Sequence, residues 1–114
     1  RTVRSEADRL AARLAAARDV AVIEGRSVAV NFAPSGYGFE RRISGEWQPL
    51  PGRAFEQRNW PADVRFAAGN GQGAARIMFD RLGISPTPQA ILLTGGDARE
   101  VVRVSATGEV SRGQ

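Results

Sequence analysis

Residues 2–28 read TVRSEADRLAARLAAARDVAVIEGRSV, and this stretch decides the fold. It is rich in Ala, Leu, Arg and Glu, which are good helix formers, and neither Gly nor Pro interrupts it before Gly25. Val3, Ala7, Leu10, Leu14, Ala17 and Ala21 recur at alternating steps of four and three, which places them on one helical face. Arg4, Glu6, Asp8, Arg9, Arg13, Arg18 and Asp19 occupy the others. Gly25 stands where a left-handed cap would end the helix. The pattern predicts a helix over about residues 2–24, about 35 Å long. Ser5-Glu6-Ala7-Asp8 offers a competing, capping-box-like start near residue 5. Val3 argues against it by extending the apolar face upstream, and Asp8 is a poorer partner than the usual Glu or Gln.

After Arg26 the hydrophobic period changes from 3.6 to 2. Val28, Val30 and Phe32 alternate with Ser27, Ala29 and Asn31. Pro34-Ser35-Gly36 is turn chemistry, and Tyr37, Phe39, Arg41 and Ile43 form a second alternating set, so the pair reads as a hairpin. A short segment about Trp47 follows, where Pro49 points to an edge. Further strands are expected at 63–68, 75–79, 90–94, 100–104 and 109–111, for about seven short strands within about 27–111. The fold class is α+β: a long N-terminal helix packed on an antiparallel β-sandwich. At 114 residues, with no linker or repeat, the chain reads as one domain, 1–114.

Composition narrows the chemistry. The chain has no Cys and no His, and all sixteen basic residues are Arg. That removes Ser–His and Cys–His nucleophiles, Lys Schiff bases and His/Cys zinc sites, so no catalytic residue, metal or cofactor is expected. The net charge of +4 invites a nucleic-acid reading. However, the arginines are spread evenly, with Arg41-Arg42 the one adjacent pair, and an Arg-biased composition explains the charge more simply. No run of about 18 apolar residues crosses a membrane.

Four features have a sharp reading and a bland one. Gly69-Asn70-Gly71-Gln72-Gly73-Ala74 matches G-x-G-x-x-A, but a dinucleotide site needs a helix after it, and 75–79 reads as a strand. A flexible hairpin loop is preferred. Glu40, Glu46, Glu56 and Asp63 could supply a carboxylate pair, yet no spacing singles out two of them. Trp47 and Trp60, each near a Pro, are preferred as core or rim aromatics over interface anchors. Ser85-Pro86-Thr87-Pro88 lacks PxxP spacing and reads as a rigid loop before a strand.

Two stretches carry a resemblance. Residues 5–28 end in an "AR-x-x-A-x-x-x-G-R-x-V" pattern. Ile77-Met78-Phe79-Asp80-Arg81-Leu82-Gly83-Ile84-Ser85, with Val101-Val102-Arg103-Val104 and Gly108-Glu109-Val110, forms a late "F-D-x-x-G" strand end and a terminal hairpin. Together with Tyr37-Gly38-Phe39 they resemble the GspH/FimT family, the minor pseudopilin H of type II secretion systems and its type IV pilus relatives. The resemblance covers most of the chain; about 50–75 carry no specific motif. It implies a pilin-like subunit whose upstream hydrophobic helix, about thirty residues long, is cleaved and methylated at its start and anchored in the inner membrane. Arg1, which is not Met and opens inside the helical pattern, fits such an upstream segment. On that reading Ser5 is not a cap. The globular part faces the periplasm, and its partners are the other minor pseudopilins and the major pseudopilin, in a filament that supports protein export. Residues 3–7 are expected to be the end of the helix most exposed to neighbours. Arg1, Val3, Arg4 and Ala7 are thus candidate partner contacts, with the two arginines facing carboxylates of adjacent subunits. The alternative is a type IV pilus minor pilin that acts in pilus assembly or DNA uptake. Glu109, where a base after Gly108 would help, weighs against DNA.

Overall fold

The computed structural model describes residues 2–113. Helix α1 runs Thr2–Glu24 without a break, so the backbone is already helical before Ser5 and the capping-box start is overturned. Val3, Ala7, Leu10, Leu14, Ala17 and Ala21 are all buried, as their spacing requires. The many alanines on this face let the helix axis approach the sheets closely. Gly25, at φ 67°, ends the helix. The Arg26 N–H then reaches back to the Ala21 carbonyl at 3.1 Å, the six-to-one bond of a Schellman cap.

Nine strands follow among the described residues: β1 Val28–Ala33, β2 Gly36–Ile43, β3 Glu46–Pro49, β4 Arg58–Asn59, β5 Arg65–Ala68, β6 Ala75–Phe79, β7 Gln89–Gly95, β8 Ala98–Val104 and β9 Val110–Gly113. A 3-10 turn, Arg53–Phe55, precedes β4. One sheet has the order β3-β2-β1-β6, with β4 also paired to β2; the other has the order β5-β7-β8-β9. All pairings are antiparallel. β3, which carries Pro49, is an edge strand as Pro requires. The two residues of β4 lie outside any alternating pattern, which is why the sequence does not announce them.

The hairpin β1–β2 sets Val30 against Phe39 and Phe32 against Tyr37, and β6 adds Ile77 beside Val30. From the second sheet Ile91, Leu93, Val102 and Val104 join them, and the helix stripe completes one continuous core. An aromatic seam links the two sheets. Phe32 stacks on Phe66 at 5.7 Å between centroids, and Trp60 lies 5.0 Å from Tyr37 and 5.8 Å from Phe66. Trp60 is buried, and its indole N–H donates to the Ala33 carbonyl at 3.1 Å. Such pairing allows a buried indole to keep its polar edge satisfied.

The loop at 69–73 is not a hairpin. β5 belongs to the second sheet and β6 to the first, so this turn carries the chain from one sheet to the other. The alternation of two neighbouring strands says nothing of whether they pair with each other. A strand follows the loop, so the helix amides that a dinucleotide phosphate needs are not supplied there.

Candidate assembly surface

With its apolar stripe spent on the sheets, the helix presents its flanks, and each flank is organised by arginine. On one side Glu6 is 4% exposed. The Arg58 guanidinium receives it with two nitrogens, Nε to Oε1 at 2.8 Å and Nη2 to Oε2 at 2.5 Å. That bidentate hydrogen bond to Glu6 holds the Arg58 pKa above its ordinary value, against the opposing effect of burial. About two turns further along the helix, Arg13 donates from Nε to the Ala54 carbonyl at 2.7 Å and from Nη2 to the Glu56 carbonyl. Its guanidinium also lies over the rings of Phe39 at 4.9 Å and Tyr37 at 5.3 Å. Glu6 and Arg13 together strap the segment from the 3-10 turn to β4 onto the helix. The Tyr37 hydroxyl beneath is pushed above its usual pKa by burial, with the Arg13 hydrogen bond pulling the other way.

On the opposite flank Arg112 of β9 bridges Asp8 on the helix and Glu100 on β8. Burial works against the Arg112 charge, but the two carboxylates more than offset it, and its pKa stands above the ordinary value. Arg4 lies beside this cluster at the mouth of a shallow depression. Glu40 is held by the Asn31 amide at 2.7 Å and by Arg76 at 3.4 Å. Trp47 is half-buried on the outer face of the first sheet, with Arg76 at 4.6 Å and Arg42 at 5.5 Å from its ring. It is a rim aromatic, and Trp60 a core one.

The four candidate contact residues separate. Arg4 is exposed. Val3 and Ala7 are buried, at 4% and 0%. The expected exposure is therefore overturned for Val3 and Ala7, while Arg4 and Ser5 between them stay exposed. The β7–β8 hairpin and the segment before β5 reach as far as this end: a Cβ on Gly95 would lie 2.8 Å from Val3 Cγ2 and 2.4 Å from the Asp63 carbonyl. Arg1 lies outside the described residues. The sequence places Glu6 on a polar face and marks no partner for it; the structure overturns that, because Glu6, three residues after Val3 and four before Leu10, lies at the edge of the stripe and is buried against Arg58. A carboxylate at a stripe position signals a buried partner.

One long helix laid across two antiparallel sheets that share its apolar face is the pilin-like architecture, a fold that serves subunits of pili and pseudopili. The GspH family, described as type II transport protein GspH, matches residues 6–108, and this chain belongs to that family. Among solved structures, the minor pseudopilin EpsH from the type 2 secretion system of Vibrio cholerae superposes with a TM-score of 0.85 at 15% identity, over 98% of this chain and 96% of that one. The type IV minor pilin FimU of Pseudomonas aeruginosa gives 0.75 at 18% identity, over 98% and 88%. The solution structure of Escherichia coli GspH gives 0.76 at 18% identity, over 98% and 87%. No curated protein matches the sequence. Family and fold together make this chain a component of a pilus or pseudopilus.

Proposed function

We propose that the chain is a minor pseudopilin of a type II secretion pseudopilus, a structural subunit that assembles with the other minor pseudopilins and the major pseudopilin to support protein export. The observation that carries this reading is the family match across residues 6–108. Its description is of type II transport, and the fit to EpsH over nearly the whole of both chains supports the same choice. On this reading the subunit works by assembly and performs no catalysis. An upstream hydrophobic helix, processed and methylated at its start, anchors it in the inner membrane with this domain in the periplasm. Arg4, exposed beside the Asp8–Arg112–Glu100 cluster, is the contact for carboxylates of a neighbouring subunit, and Arg1 joins it. Deleting the gene should block secretion, and the protein should co-purify with the other minor pseudopilins. Intact secretion with no partner bound would remove the proposal.

The likeness to FimU favours one second reading, a type IV pilus minor pilin active in pilus assembly or DNA uptake. A mobility-shift titration of this domain with DNA at low salt separates the two, because phosphate contacts weaken steeply with added salt. Absence of a shift at low salt removes the DNA arm, and pili of normal number after deletion remove the assembly arm.

A further inference from the structure

All four large hydrophobic side chains left exposed among the described residues lie at one end of the molecule: Val22 (50%), Ile23 (82%), Leu82 (68%) and Ile84 (42%). Val22 and Ile23 stand on the last turn of α1, and Leu82 and Ile84 on the turn that leaves β6. The two segments are in contact. Arg18 Nε donates to the Gly83 carbonyl at 2.8 Å, and a Cβ on Gly83 would lie 2.9 Å from Val22 Cγ2. Ile23, next to Val22 on the same turn, is the most exposed of the four. A single exposed Leu needs no account, but four aliphatic side chains grouped at one end do.

The turn is braced so that these side chains stay out. Asp80 Oδ1 accepts the N–H groups of Leu82 and Ile84, both at 2.9 Å. The Asp80 N–H donates to the Ile84 carbonyl, and the Gly83 N–H to the Asp80 carbonyl, each at 2.8 Å. From behind, the Ser85 N–H donates to the Ala106 carbonyl at 3.2 Å, and Arg18 Nη2 to the Thr107 carbonyl at 3.2 Å. Leu82 and Ile84 are thus presented on a rigid platform, which lowers the ordering entropy lost when a partner binds.

The charges around the platform select the partner. Arg26, Arg42 and Arg81 line a depression beside Leu82 at the end of the helix. Of the acids at this end, Asp80 accepts from the turn amides and Glu24 pairs with Arg41 at 3.1 Å and Arg26 at 3.9 Å, while Asp19 is exposed one turn before Ile23. Among the described residues Arg42 and Arg81 pair with no carboxylate. A second copy docked by two-fold symmetry would set these arginines against their own images, which disfavours it.

We infer that this end docks a different pilin-like subunit of the same filament, one that presents an apolar patch rimmed by Asp or Glu. The inference rests on the assembly reading above and adds the face and the chemistry of its partner. The chain has no cysteine, so Leu82→Cys creates a unique thiol. With a benzophenone maleimide on that thiol, the full chain in cells should cross-link to a pilin-like subunit, and the exposed control Arg53→Cys should not. Leu82→Glu should weaken binding to that subunit at least tenfold, with an unchanged melting temperature, and Ile23→Glu should do the same. Arg81→Glu should weaken it about threefold or more and reduce its salt dependence. Cross-linking to a second copy, capture by phosphatidylglycerol vesicles that Leu82→Glu abolishes, or unchanged affinity of Leu82→Glu and Ile23→Glu would overturn the inference. If the unmodified chain still co-purifies with sibling subunits in those cases, the assembly reading survives. If it captures none of them, both fall.

Discussion

Glu6 and Arg58 lie 52 residues apart in sequence, yet form a two-point ion pair at the flank of the helix, with the carboxylate almost wholly buried. The pair fixes where the irregular middle of the chain meets the helix.

Removing Arg58 takes from the buried Glu6 carboxylate its bidentate partner and leaves Arg9 at 4.0 Å beside it. Arg58→Ala should destabilise the domain by about 2–3 kcal/mol, since it strands a buried carboxylate. Replacing both by Met should cost less than the sum of the single changes. Urea unfolding of the two single variants and the double variant measures this coupling, and strict additivity would show that the pair does not act as a unit.

Tyr37 gives a pH signature. Its folded pKa is raised, so the unfolded chain loses the phenolic proton first, at about pH 10. Between that pH and the folded pKa the unfolded state binds fewer protons, and stability falls as pH rises. The contribution is fully present below about pH 10. Tyr37 is the one tyrosine, so phenolate absorbance in the native and urea-unfolded protein reads it alone. The native titration should lie at higher pH, and Tyr37→Phe should flatten the alkaline stability limb.

The helix stripe is a packing surface. Leu10→Ala and Leu14→Ala, both at fully buried positions, should each cost about 2–5 kcal/mol. Ala17→Leu, at a site with no spare volume, should cost about 1–3 kcal/mol through overpacking. Thermal unfolding followed by circular dichroism tests the three. A neutral Ala17→Leu would mean that the helix can lift from the sheets.

Gly108 has φ 85°, and a Cβ there would sit 1.8 Å from the Gly83 carbonyl. Gly108→Ala therefore combines left-handed strain with a backbone clash and should cost at least about 2 kcal/mol. It should also displace the turn that carries Leu82 and Ile84. Amide exchange of residues 82–84 should accelerate in this variant, and unchanged protection there would show that the two turns move independently.

How far the sequence reaches is seen element by element. The helix limits, its six-residue buried face, the β1–β2 hairpin and the edge position of Pro49 all follow from local pattern. So does the family resemblance, whose motifs are caps and strand ends. The fate of residues 3–7 does not. Their spacing places Val3 and Ala7 on the stripe, but whether sheet lies over that end depends on how far the β7–β8 hairpin extends, and Gly95 decides that from more than ninety residues away.

The sequence by itself determined the helix and which of its faces is apolar, because a 3.6-residue period is written in neighbouring residues. It also determined, through its lack of Cys, His and Lys, which chemistries the chain does without. The tertiary structure alone decided that β5 and β6 part into different sheets, that Glu6 is buried against Arg58, and that Val22, Ile23, Leu82 and Ile84 gather at one exposed end. Each of these depends on contacts between segments distant in the chain, and a period read within one segment carries no information about which other segment will cover it.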